Sequence, residues 1–100
     1  MVFGGIVTSP RSVLSPLQAL ELARIYLENA GNTTDVNINL VLCHDTEVAL
    51  SHAKRAAKHT EDQTVSEGIA TTYIDLGNLL YTRGHHGEAR VSFKKARKLG

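Results

Sequence analysis

An all-α fold, built as two stacked antiparallel helix pairs with an extended second helix, is what this sequence predicts. Three observations lead there. Apolar residues recur at steps of three and four in four separate segments. Residues that start or stop helices stand between them: Ser15-Pro16, Gly31-Asn32 and the turn Gly84-His85-His86-Gly87. No segment alternates apolar and polar residues as a half-buried strand does.

The chain of 100 residues is read as an N-terminal arm over 1–14 and one helical domain over 15–100. The arm has no clear period and carries paired glycines and a proline. It is expected to lie loosely along the first helix. Ser15 can accept hydrogen bonds from free helix N–H groups, and Pro16 fits the first helical position. Leu17, Leu20, Ala23, Tyr26 and Leu27 form the stripe of the first helix, expected to stop near Ala30 before Gly31-Asn32.

Thr34 or Asp35 caps the second helix. Its expected stripe is Ile38, Leu42, Thr46, Ala49, Ala53 and Ala56, flanked by Val41, Val48, Leu50 and Ala57. Neither glycine nor proline interrupts 36–59, which favours one long helix. The polar run from Cys43 to Glu47 leaves a break capped by Asp45 or Thr46 as the alternative. His59 to Thr64 is polar and reads as a loop or a frayed helix end. Ser66 is the expected cap of the third helix, whose stripe is Ile69, Tyr73, Leu76, Gly77 and Leu80. The fourth begins between His86 and Glu88 and shows Ala89, Val91, Phe93, Ala96 and Leu99.

Tryptophan is absent and aromatics make up 5 % of the chain, so alanine and leucine must fill most of the core. The lone cysteine, Cys43, cannot form an intrachain disulfide and is read as a buried, inert thiol; a disulfide-framed secreted domain is not expected. No apolar run is long enough for a membrane span, and the N-terminus lacks the basic and apolar regions of a signal peptide. A cytoplasmic protein is expected. A net charge of +1 gives no general attraction for nucleic acid, which is an unlikely partner. Acidic and basic stretches alternate along the chain. Basic residues late in each helix pair complement the helix dipole, with a basic docking face on the last helix as the other reading.

The spacing also bears on chemistry. His44 and His52 lie on one helix face but more than two turns apart, and His85-His86 have no cysteine near them. No set supplies three or four ligands at zinc spacing, so no metal or other cofactor is expected. Cys43 and His44 are adjacent on a helix and point apart. No glycine-rich phosphate loop or metalloprotease motif occurs. No catalytic residues are assigned, and the chain is not expected to be an enzyme.

From Ala70 to Gly100 small residues stand where two helix backbones must touch. Tyr73, Leu76, Gly77, Leu80, Gly84, Ala89, Phe93 and Ala96 set the pattern. Gly77 and Ala89 permit close approach, Phe93 is expected to fill the gap to the neighbouring pair, and Gly84 permits a positive φ. This register resembles the tetratricopeptide repeat (TPR), a helix-turn-helix unit of about 34 residues. Leu22-Ala23, Tyr26, Ala49, Ala53 and Ala56 resemble the same unit in degenerate form, with an insertion between its helices. The closing proline of the unit has no counterpart before Gly100, which reads as a cut within or just after a repeat.

The resemblance implies a non-enzymatic adaptor or scaffold that binds a protein or peptide along a groove lined by the first helix of each pair. Carried over, the groove positions are Leu17, Leu20, Arg24 and Leu27 in the first helix, and Thr71, Ile74, Asn78, Tyr81 and Thr82 in the third. Members that grip the terminal carboxylate of chaperone tails carry lysine where Ile74 stands, four residues before an asparagine matched by Asn78; that clamp is not expected here. The alternative is a structural segment or terminal cap of a larger helical-repeat protein, with self-association into a homo-oligomer replacing the missing repeats.

Overall fold

A computed structural model describes residues 15–58 and 63–99. The expected arm over 1–14 and residues 59–62 of the polar stretch lie outside the described residues. Among the described residues four helices follow one another: α1 (Pro16–Asn32), α2 (Val36–Ala57), α3 (Gln63–Thr82) and α4 (His86–Leu99). No strand occurs among the described residues.

Local chemistry fixes most helix ends. The Ser15 hydroxyl accepts from the Gln18 N–H at 3.1 Å while the Ser15 N–H donates to Gln18 Oε1 at 3.0 Å, a reciprocal capping box ahead of Pro16. Asp35 Oδ1 accepts from the N–H groups of Asn37 and Ile38 at 2.9 and 3.1 Å. Gly84 takes φ +90°, a conformation that a side chain would strain, and so turns the chain from α3 into α4. α2 is continuous through Cys43 to Glu47, as its uninterrupted helical period requires, and ends at Ala57 with Lys58 as its cap.

Two ends differ from expectation. α1 does not stop near Ala30; Gly31 and Asn32 remain helical. The reason lies in other elements, which take its terminal carbonyls. Asn39 Nδ2 donates to Ala30 O at 2.8 Å, and the Arg83 guanidinium donates to Thr33 O at 2.9 Å and Gly31 O at 3.3 Å. No left-handed glycine is then needed to end the helix. Ser66 is not a cap either. α3 already begins at Gln63, so Gln63 and Thr64 are helix rather than loop, and buried Val65 anchors that first turn.

The helices form two hairpins, α1 against α2 and α3 against α4, stacked through α2–α3 and α1–α3 contacts. α1 and α3 make one layer and α2 and α4 the other. The extent of 17 Å in the thinnest direction suits two layers packed about 10 Å apart. The backbones of α2 and α4 do not approach within 8 Å, and a Glu47–Lys95 ion pair spans the gap. Arg24 meets Thr72 and Glu47 meets Lys95, each across 48 residues of chain. Leu20 meets Gly68 at the same separation. The second hairpin therefore lies beside the first in one common register.

Tyr73, Leu50, Ile69 and Leu76 are the largest fully buried apolar side chains, and Ala19, Ala23, Ala49, Ala53, Ala89 and Ala96 pack among them. The close approach expected at Gly77 is present: a Cβ there would stand 2.7 Å from Phe93 Cε1. Phe93 is thus seated inside its own pair and stays half-buried. α2 is rotated from its expected stripe. Asn39, Cys43, Thr46, Ala49, Leu50 and Ala53 face inward, Leu42 and Ala56 are half-buried, and Ile38 is 51 % exposed. The rotation places the Asn39 amide on the end of α1, where its hydrogen bond offsets the cost of burial.

Candidate protein-binding face

The face carried by the first helix of each hairpin is built on the α1–α3 seam. Gly68 faces Leu20 across the seam. A Cβ at that position would stand 2.7 Å from Leu20 Cδ2, so the bare backbone lets α1 lie close. One turn on, Arg24 Nε donates to Thr72 Oγ1 at 3.4 Å, and that hydroxyl donates in turn to Gly68 O at 2.8 Å. At the far end Arg83 holds the α1–α2 turn through two carbonyls. The relation of the two helices is therefore set at both ends.

The side chains expected to line a groove fall into three groups. Leu20 is 6 % exposed and Leu27 is half-buried against the core, so both are occupied in packing. Arg24 is exposed and bridges to α3. Thr71, Ile74, Asn78, Tyr81 and Thr82 are all exposed along α3. Ile74 and Tyr81 are 44 % and 59 % exposed. At about 100° per residue they project from the side of α3 roughly opposite Gly68 and Thr72, and hence away from α1. The Tyr81 ring stacks on His86 of α4, with centroids 4.3 Å apart, which fixes its direction. The Thr82 hydroxyl donates to the Asn78 backbone carbonyl at 2.8 Å, and the Asn78 side chain is exposed.

Near the start of α1 a shallow apolar notch of about 340 Å³ opens between Leu17, Leu20 and Glu21 on one side and Thr64, Val65 and Gly68 on the other. Leu17, also carried over to the groove, is 56 % exposed at its rim. Sequence reasoning missed Gly68 and Ile25, the latter 54 % exposed on α1. Gly68 carried a usable signal: a glycine inside a helix, one residue ahead of a strict apolar stripe and nine before the second helical glycine, Gly77. Ile25 lies off the α1 stripe and gave none beyond that displacement.

Elsewhere the reactive groups are dispersed. Cys43 is buried, and that burial pushes its thiol above the ordinary value, with Arg83 opposing and Glu88 adding to the shift. Its Sγ lies 3.9 Å from Asn39 Oδ1. His44, its neighbour, is exposed. Among the described residues no three His, Cys, Asp or Glu side chains converge on one point, and no helix is long and apolar enough to cross a membrane.

Comparison of the chain with protein-family models, with curated proteins and with solved structures finds no match.

Proposed function

We propose that this protein is a non-enzymatic interaction module, of TPR-like kind, that receives a peptide or helix of a partner protein along the exposed side of α3. The observation that carries this reading is the pair Ile74 and Tyr81. They are exposed at 44 % and 59 %, two turns apart on one helix, with the Asn78 amide between them. Apolar and aromatic side chains of this kind dominate binding energy when a partner buries them, and an amide beside them can align a backbone. Leu17 and Ile25 are further exposed apolar side chains, on α1. No cofactor enters this reading. The lone, buried Cys43 suits a reducing cytoplasmic compartment.

Affinity capture with the full chain tests it, run beside Ile74→Glu, Tyr81→Ala and, as a control on another face, Val48→Glu. One partner retained by the wild type and the control but lost by both α3 variants supports the reading, and titration of that partner then gives its affinity. Partners lost equally in all three variants, or in none, overturn it.

A second reading is a segment or cap of a larger helical-repeat protein, or a self-associating unit. Exposed Val41 and Val48 on α2, at 59 % and 42 %, favour it, because stacking neighbours would cover such residues. Sedimentation equilibrium tests the self-association arm. A mass that rises with concentration, and falls back in Val48→Glu, supports it; a constant monomer mass removes it.

A further inference from the structure

The opposite layer of the molecule holds a concavity of another character. α2 and α4 flank α3 without their backbones meeting. Beside the second half of α2 the gap between them becomes an open cleft of about 260 Å³ lined by Ser51, Lys54, Arg55, Lys58, Tyr73 and Lys95. Four of these side chains are cations. Among the described residues Glu47 pairs with Lys95, and no carboxylate pairs with Lys54, Arg55 or Lys58.

Complementarity to the α2 dipole accounts for positive charge near the end of that helix. It does not account for Lys95, which enters from α4, nor for the way the two helices turn their cations into one space. Lys95 is held by Glu47 and lies 5.9 Å from the centre of the Tyr73 ring. Its pKa is raised chiefly by the hydrogen bond to Glu47, so it remains charged. Tyr73 is 1 % exposed and hydrogen-bonded to the Ser51 side chain, which gives the cleft a fixed floor. Lysine and arginine offer only donors, and the guanidinium fork matches two oxygens of one anion. Three cations with no carboxylate partner among the described residues are matched by a ligand with several negative charges on closely spaced oxygens.

We propose that the cleft between α2 and α4 is a binding site for a small ligand carrying two or more adjacent phosphate groups, held by Lys54, Arg55, Lys58 and Lys95. A nucleic-acid strand is the poorer fit. It needs cations spaced along a path and an aromatic face on which bases stack, and the ring at this site is covered. The site is separate from the α1–α3 face, so its failure leaves the reading of that face untouched.

Inorganic tripolyphosphate is the probe, titrated into the full chain at about 0.15 M salt, where non-specific surface attraction is screened within about 8 Å. Calorimetry gives stoichiometry and affinity, and amide chemical shifts give location. Saturable one-to-one binding is expected, with shifts centred on Ser51, Lys54 and Lys95. Arg55→Gln combined with Lys58→Gln should weaken it about tenfold or more, since both lose charge-assisted hydrogen bonds. Both side chains are exposed, so the fold survives their replacement. Lys94→Gln combined with Lys98→Gln removes equal charge from the exposed part of α4 and should change affinity less than about twofold. Non-saturating binding, equal loss in both double variants, or a single-stranded oligonucleotide that outcompetes tripolyphosphate at the same residues would each overturn the proposal.

Discussion

The Phe93 ring covers Gly77 so closely that a Cβ at position 77 would lie 2.7 Å from Cε1 and 2.9 Å from Cδ1. This contact sets the spacing of the α3–α4 hairpin. Gly68 stands in the same relation to Leu20 across the two hairpins, but there the opposing atom is the flexible end of a leucine. The two glycines therefore give a matched comparison.

Alanine at either position gains about 1 kcal/mol of helix propensity. Gly77→Ala forces an aromatic ring aside, and overpacking of that kind costs about 1–3 kcal/mol. It should be destabilised by about 1 kcal/mol net, and Phe93→Leu in the same chain should restore part of the loss. Gly68→Ala asks only that the Leu20 methyl swing away, and should be neutral or slightly stabilised. Urea unfolding followed by circular dichroism checks both; a Gly77→Ala protein more stable than wild type would remove the contact from the account of the hairpin.

Asn39 ties the start of α2 to the last turn of α1. Replacement by leucine preserves volume but leaves Ala30 O without its side-chain donor in a buried setting. Ala30 O keeps the Thr33 N–H at 3.5 Å, so a loss of about 1 kcal/mol is expected, the net worth of one hydrogen bond. Asn39→Asp should lose more at neutral pH than at pH 3, because its carboxylate faces a carbonyl oxygen only when ionised. Equal stability of Asn39→Leu and wild type in urea would show the bond to be dispensable.

At the turn, Gly84→Ala places a side chain at φ +90° and should cost about 1–2 kcal/mol, although nothing crowds the site. Gly87→Ala, in the first turn of α4 with open space around it, should instead raise stability by up to about 1 kcal/mol. Thermal unfolding midpoints moving in opposite directions are the expected result.

Stability should decline in alkali. Burial pushes the Cys43 thiol above its ordinary 9.0 and the Tyr73 phenol above its ordinary 10.0. The unfolded chain releases these protons first, so above pH 9 the folded state binds more protons and unfolding gains with rising pH. Lys95, raised above 10.5 by Glu47, acts in the same sense; its contribution is complete below that value and is lost as pH rises through the folded pKa. The urea midpoint should fall between about pH 9 and 11, less steeply in Tyr73→Phe. A midpoint unchanged across that interval would contradict the buried, protonated state of both groups.

Features written in adjacent residues were legible in the sequence. The Ser15 cap, a cap at Thr34 or Asp35, the turn at Gly84 and the continuity of α2 each depend on a few neighbouring positions, and each is found, the second at Asp35. The close approach at 77 was also legible, but the ring that covers it, Phe93, was expected to face the neighbouring pair instead. What escaped depends on another element. Asn39 is a poor core residue until the Ala30 carbonyl is placed above it, and Gly31 looks like a stop until Arg83 arrives from the second hairpin. The candidate groove divides the same way. The exposure of Thr71, Ile74, Asn78, Tyr81 and Thr82 follows from their position off the α3 stripe, whereas the burial of Leu20 follows from Gly68, which belongs to another helix.

The common register of the hairpins has an architectural consequence. Applying the step that relates the first hairpin to the second once more would bring a third onto the flank of α3 that bears Ile74 and Tyr81. Elongation and recruitment then compete for one edge. A guest seated on it caps the stack, and a further repeat laid there shuts the guest out.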